Sequence, residues 1–296
     1  MARAYNVKVI RSGNVIEVYQ YQDSRMYGYS RKPSSGSAPL DVIEDVDKET
    51  GEIFLRKATE AEQMELRLSK QLSERAKSNI KARNNLRRLV LNNFSNRSTF
   101  LTLTFQENLT DLTKANQVFE RFVKYMKGDL AKVWSNGFKY VAVVEFQKRG
   151  AIHYHLICDL PKYYRYSKVR DRWRQAITAL GIAGTGSTKQ HRIDKVDNVG
   201  AYVVKYMTKA GADERLIGKK LYQTSKGLKK PTEKAYSISS EADLNAMLSA
   251  FGVTESTKKV YHSSYTDSYT TGTVVYSEFN LKRGKQHSLC NSITAT

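Results

Sequence analysis

The sequence predicts an α+β fold: a central antiparallel β-sheet with helices packed on it, and smaller N- and C-terminal extensions. Three observations carry this. Ser98 to Phe105, STFLTLTF, is a β-branched and aromatic run that reads as a buried strand. Leu112 to Lys127 follows with helical periodicity, and Thr110-Asp111 stands before it as a start signal. Tyr140 to Ile157, YVAVVEFQKRGAIHYHLI, alternates on both sides of a short turn and reads as a hairpin. Strand, helix and hairpin in that order make β-α-β-β, which an antiparallel sheet with helices on one side accommodates.

Around this centre, residues 1–57 read as a β-rich element. Tyr5 to Gln22 gives two strands about Arg11-Ser12-Gly13-Asn14, and the Ser/Gly-rich patch Ser34 to Ser37 gives a loop. Residues 58–95 read as a basic helix. Leu68, Leu72, Ala76 and Ile80 form its apolar stripe, with Arg67, Arg75, Lys77, Lys81, Arg83, Arg87 and Arg88 around it. Such a charge run either lies along a phosphate backbone or faces water. The central domain spans residues 96–232 and includes the basic, aromatic stretch Pro161 to Leu180, with Tyr163, Tyr164, Tyr166, Arg170, Arg172, Trp173 and Arg174. This is a helix or loop-helix near a nucleic acid, or one whose Trp173 packs into the core. Residues 233–296 form a C-terminal extension: a helix over Glu241 to Phe251, strand material from Lys258 to Leu281, and a loose tail from Lys282 to Thr296.

Composition limits the partners. A net charge of +20 calls for a polyanion, and 19 tyrosines supply flat surfaces on which bases stack, so nucleic acid fits better than a membrane. No apolar run approaches the ~20 residues of a membrane span, and MARAYNVKVIRSG lacks the apolar core of a secretion signal, which predicts a cytoplasmic protein. Cys158 and Cys290 are too few for a disulfide framework or a zinc knuckle, and Cys158 reads as core.

The hairpin holds the first chemical feature. With Lys148, Arg149 and Gly150 as a three-residue loop, Glu145 faces His153 and Val143 faces His155. Side chains two apart share a face, so Glu145, His153 and His155 converge as ligands for one metal ion. A slip of one residue would break the arrangement, and the alternative is a strand with surface histidines. Ligand type alone suits several transition metals, manganese or zinc among them, and does not single out magnesium.

Asn198 to Gly211, NVGAYVVKYMTKAG, holds the second. Asp197 or Asn198 caps a helix that Gly211 ends, placing Tyr202 and Tyr206 on one face with Lys205 and Lys209 each three residues after a tyrosine. A tyrosine hydroxyl has a pKa of about 10, so a nucleophilic tyrosine needs a cation to stabilise its developing charge. The alternative is an amphipathic helix with its tyrosines against the core.

The succession LTLTF, HYH and YVVKYMTK, with Glu145 ahead of the histidines, resembles the HUH endonucleases, named for His-hydrophobic-His. Within that superfamily it resembles the rolling-circle replication initiators of single-stranded DNA phages and related bacterial plasmids. The likeness runs from about residue 98 to 232 and includes GKKLYQTSKGLKKP. It implies an HUH-like nuclease domain in which Glu145, His153 and His155 bind Mg2+ or Mn2+. It also implies that Tyr202 and Tyr206, aided by Lys205 and Lys209, cut single-stranded DNA, leaving a 5′-phosphotyrosine and a 3′-hydroxyl primer. Expected partners are single-stranded or hairpin origin DNA and a host helicase, DNA polymerase and single-strand binding protein. Arg149, Lys189, Arg192, Lys226, Lys229 and Lys230 are the phosphate contacts this reading selects. Gly184 to Lys189 lacks the spacing of a P-loop, so no ATP hydrolysis is expected. Other classes are a relaxase or transposase with the same parts, a non-haem iron oxygenase, and a non-catalytic DNA-binding regulator. A relaxase commonly carries its tyrosine before the histidine motif; here it follows.

Overall fold

The computed structural model describes residues 4–27, 42–46, 53–131, 133–135, 137–211, 219–267 and 271–283. The loop expected at Ser34 to Ser37, Cys290 and most of the expected tail lie outside these residues. The elements run β1 Ala4–Ser12, β2 Val15–Met26, β3 Val42–Val46, β4 Ile53–Lys57, α1 Glu60–Asn93, β5 Thr99–Thr104, α2 Leu112–Ala131, β6 Tyr140–Phe146 and β7 Ile152–Cys158. They continue with α3 Tyr166–Thr178, β8 Ser187–His191, α4 Val199–Gly211, β9 Tyr222–Thr224, β10 Thr232–Tyr236, α5 Glu241–Ala250, β11 Lys259–Thr266 and β12 Thr273–Asn280. The fold is α+β, built on antiparallel sheets, as the sequence predicts. Among the described residues no helix is long and apolar enough to cross a membrane.

Two compact units share the chain, Gly28–Asn84 and Met1–Tyr27 with Asn85–Thr296. In the smaller, β3 pairs with β4, and α1 begins with a capping box. Thr59 Oγ1 accepts from the Glu62 N–H (3.3 Å) and Glu62 Oε2 from the Thr59 N–H (2.8 Å). Hydrogen bonds from Arg56 hold the Glu62 carboxyl down at about 2. The apolar stripe residues Leu68, Leu72 and Ile80 are exposed.

In the larger unit the central sheet has the strand order β8-β5-β7-β6-β9. Strand alternation divides its side chains. Leu101, Leu103, Ala142, Val144, Tyr154 and Leu156 point to one face, where Val118, Phe119 and Phe122 of α2 and Trp173 of α3 close the core. Phe119 stacks on Tyr154 with ring centroids 4.6 Å apart. Trp173 is fully buried and its Nε1–H donates to the Thr104 carbonyl at 3.0 Å. Truncating an aromatic so placed costs about 3–5 kcal/mol. Core packing thus accounts for Trp173, and its neighbour Arg172 clamps α3 to α2 by donating to both oxygens of Asp129 (2.8 and 2.6 Å).

The N- and C-terminal segments come together in one sheet of order β10-β1-β2-β12-β11. Val7, Val9, Ile16, Val18 and Phe279 meet Met247, Phe251 and Val253 at α5 and the turn after it. Glu17 and Glu278, buried on the opposite side, need cationic partners. The end of α1 supplies them: Arg88 donates to Glu17 (2.7 and 2.9 Å) and to the Tyr19 hydroxyl (2.7 Å), and Arg87 pairs with Glu278. Two arginines of the basic helix are therefore neither solvated nor free for phosphate.

Candidate functional site

The face of the central sheet opposite α2 and α3 carries the chemistry. Gly150, at φ +89°, turns the chain between β6 and β7, and the register that follows puts Glu145 across from His153 and Val143 across from His155. This is the register the three-residue loop predicts. On the other side of β7, Thr102 of β5 lies across from His155, and Lys189 of β8 lies across from Thr102. A cavity of about 560 Å³, lined by Glu145 to Arg149, opens beside Glu145.

His155 is buried and hydrogen-bonded through both ring nitrogens. Nε2 pairs with Glu145 Oε2, and Nδ1 lies 3.2 Å from Thr102 Oγ1. Thr102 Oγ1 also lies 2.8 Å from His191 Nε2. His153 differs, because its Nε2 is buried without a hydrogen-bond partner. Burial first, and then the neighbouring His155, push the His153 pKa below the usual histidine range, which favours a bare nitrogen lone pair. His191 is lowered too, by burial and then by Lys189.

The helix α4 covers this face, packing on β6 and β7. Asn198 caps it, its Oδ1 accepting from the Ala201 N–H at 2.9 Å, and Asp197 instead accepts from Arg283 (Nη2–H, 3.1 Å). Gly200 allows the close approach: a Cβ there would stand 2.5 Å from the Arg87 carbonyl oxygen. The Tyr206 ring lies on the His155 ring, centroids 3.8 Å apart, and also stacks on Phe100 at 5.4 Å. Tyr202 meets Phe100 edge-on at 5.0 Å. Lys205 Nζ sits 3.7 Å from the centre of the Tyr202 ring and 5.0 Å from that of Tyr206. Burial, then a hydrogen bond with Tyr202, raise the Tyr206 pKa well above that of a free phenol. The two tyrosines, Lys205, Glu145 and both histidines therefore gather on one face, while the side chain of Lys209 lies outside the described residues.

Among the described residues no group of three or more His, Cys, Asp or Glu side chains stands in metal-holding geometry. Glu145 and His155 engage each other instead. The chemistry of the donors nevertheless fits a divalent cation. A buried unpaired His153 Nε2 costs about 1–3 kcal/mol, and a cation would satisfy it.

The predicted phosphate contacts are exposed. Arg149 is at the hairpin tip, Lys189 on the edge strand β8, Arg192 just beyond it, and Lys226, Lys229 and Lys230 between β9 and β10. Asn92 holds the Lys229 and Lys230 carbonyls at 3.1 and 2.8 Å, which docks that loop on the end of α1. Lys189 shares the tyrosine-covered face.

Comparison with known proteins bears on these motifs directly. Residues 98–211 match the family of replication-associated proteins of the ORF2 type. The segment contains β5, the hairpin and α4, hence Thr102, Glu145, His153, His155, His191, Tyr202, Lys205 and Tyr206, but not Lys226, Lys229 or Lys230. The chain is also 31% identical over 149 residues to the phasyl DNA replicon protein arp of Escherichia coli, an alignment covering 44% of this chain. The chain spans about half (50%) of that relative's length. The family match and the replicon likeness are both consistent with a rolling-circle replication initiator, the group the motifs resemble. No solved structure matches significantly.

Sequence reasoning missed Thr102, His191 and Phe100. Thr102 and Phe100 alternate in STFLTLTF and so share the face of the histidines, a signal available in the strand pattern itself.

Proposed function

We propose that this protein initiates rolling-circle DNA replication by nicking and rejoining single-stranded DNA through a tyrosine. The observation that carries the reading is the Tyr206 ring lying on His155, beside Glu145 and the unpaired His153 Nε2. Glu145, His153 and His155 would hold a Mg2+ or Mn2+ ion, which supplies Lewis-acid polarisation of the scissile phosphate.

The chain's own residues do the rest. Tyr206 Oη attacks phosphorus, the 3′-oxygen of the preceding nucleotide leaves, and the phenolic proton passes to solvent while the leaving oxygen gains one. One phosphodiester is exchanged for another, so a 5′-phosphotyrosine keeps the bond energy and no nucleotide is hydrolysed. The freed 3′-hydroxyl primes a polymerase. Tyr202, one turn earlier, repeats the attack when the circle closes, and Lys205 between the two rings stabilises the developing phenolate of either. Lys189 and Arg149 hold flanking phosphates. Lys209, Arg192, Lys226, Lys229 and Lys230 complete the basic surface, which single-stranded or hairpin origin DNA would follow. Unwinding, copying and strand protection fall to a host helicase, polymerase and single-strand binding protein.

The test is incubation of the protein with labelled origin oligonucleotides and Mn2+, read by denaturing gel. A covalent protein–DNA band that disappears in Tyr202→Phe/Tyr206→Phe supports the reading. Absence of the band leaves a non-catalytic DNA-binding protein, and its persistence in the double variant places the nucleophile on another residue and overturns the two-tyrosine reading.

A further inference from the structure

We propose that Thr102 and His191 are positioning residues that set the ring tautomer of His155 and thereby its strength as a cation ligand. This rests on the metal reading above and concerns two side chains that would not themselves touch the ion.

Thr102 Oγ1 stands between two imidazole nitrogens, His155 Nδ1 at 3.2 Å and His191 Nε2 at 2.8 Å. A hydroxyl has one proton, so it donates to one ring and accepts from the other. The tautomers of the two histidines are therefore coupled. An ionised Glu145 only accepts, so His155 Nε2 carries the proton in that pair, and Nδ1 of the neutral ring takes the Thr102 proton. His191 Nε2–H then donates to Thr102.

When His155 Nε2 is needed as a bare donor, the ring proton must sit on Nδ1. The Thr102 hydroxyl turns to accept it and donates in turn to His191 Nε2. Both states leave every nitrogen facing Thr102 paired, which matters because Thr102 and His155 are buried and an unpaired polar atom there is costly. Phe100 keeps both rings in place, with its centroid 6.2 Å from that of His155 and 5.7 Å from that of His191. Hydrogen bonds to the far nitrogen of a ligating histidine orient the ring and raise its basicity, and their loss typically weakens metal binding 10–100-fold.

The experiment is calorimetric titration of the full chain with Mn2+, alongside the Mn2+ dependence of adduct formation. Thr102→Val keeps the shape and loses the hydroxyl, and it should bind Mn2+ about 10–100-fold more weakly. Thr102→Ser should bind like the parent, and His191→Phe should weaken binding in the same direction as Thr102→Val. Adduct formation in Thr102→Val should need more Mn2+ for half-maximal rate yet recover at saturation. Thermal unfolding of the same samples separates a binding effect from loss of fold, and the half-buried His191 site gives a second variant if Thr102→Val unfolds. Parent-like affinity in both Thr102→Val and His191→Phe would overturn the proposal, as would Thr102→Ser behaving like Thr102→Val. If the parent protein itself binds no Mn2+, the metal reading falls and the relay's role falls with it.

Discussion

The phenol ring of Tyr206 and the imidazole of His155 lie face to face, 3.8 Å between centroids and 22° from parallel. Tyr202, one turn earlier on α4, touches Phe100 but makes no ring contact with His155 among the described residues. The two tyrosines thus stand in inequivalent surroundings.

On the proposed nicking reading, that difference puts Tyr206 first in the order of attack. Tyr206→Phe should keep the stack and remove the nucleophile, lowering first-strand adduct formation on the order of 10^3-fold or more. Tyr202→Phe should still form the adduct and fail in the second transfer. Denaturing gels with one-site and two-site oligonucleotides distinguish the steps, and equal loss in both single variants would sink the assignment.

On the proposed metal reading, His153 should trade stability for function. Replacing it with Leu removes the buried unpaired Nε2, so metal-free His153→Leu should be more stable by about 1 kcal/mol in urea unfolding. The same variant should lose its response to Mn2+. A loss of stability in the metal-free protein would show that Nε2 finds a partner in solution.

The clamp between α2 and α3 should make stability depend on acid. Hydrogen bonds from Arg172, and then from Tyr164, hold the Asp129 carboxyl below its usual range. A depressed carboxyl stabilises the fold above its unfolded pKa of about 3.9 and loses that contribution as pH falls through the lower folded value. Arg172→Met should cost only roughly 0.5–1 kcal/mol at pH 7, because the pair is partly solvated, and should flatten the acid limb of stability below pH ~4. Urea midpoints at pH 7 and pH 3 measure both.

Gly200 fixes how closely α4 approaches the end of α1. Gly200→Ala would put a methyl 2.5 Å from the Arg87 carbonyl oxygen and 2.8 Å from Leu91 Cγ. Either helix must shift, which costs about 1–3 kcal/mol. Adduct formation should fall as well, since α4 carries both tyrosines; a variant with parent-like melting temperature would contradict the close approach.

Much of the site was legible because its signals are local. A glycine at positive φ sets a three-residue loop, the loop sets the register, and the register puts Glu145 opposite His153. Helical spacing likewise gives the Tyr202–Tyr206 face. Strand β8 was harder, since STKQH is polar and lies on the sheet edge, where alternation is weak. In the sequence, Gly184 to Lys189 draws attention for failing as a P-loop and for Lys189 as a phosphate contact, and His191 goes unnoticed. Arg87 and Arg88 read as part of a charge run because their partners, Glu17 and Glu278, lie far away in sequence. No local pattern announces such pairings, nor the joining of the first strands to the last.

That joining governs how the chain is made. On the ribosome, β1 and β2 emerge before the other described strands, but β12, which seats between β2 and β11, is the last of them to appear. Pairings so distant in sequence close slowly. Until β12 appears, β2 therefore offers an open backbone edge, the kind of edge that recruits other chains, whereas the sheet that α4 covers has all its strands once β9 is made. β12 therefore closes that edge last among the described strands, and chains ending before it should aggregate more readily than the full chain.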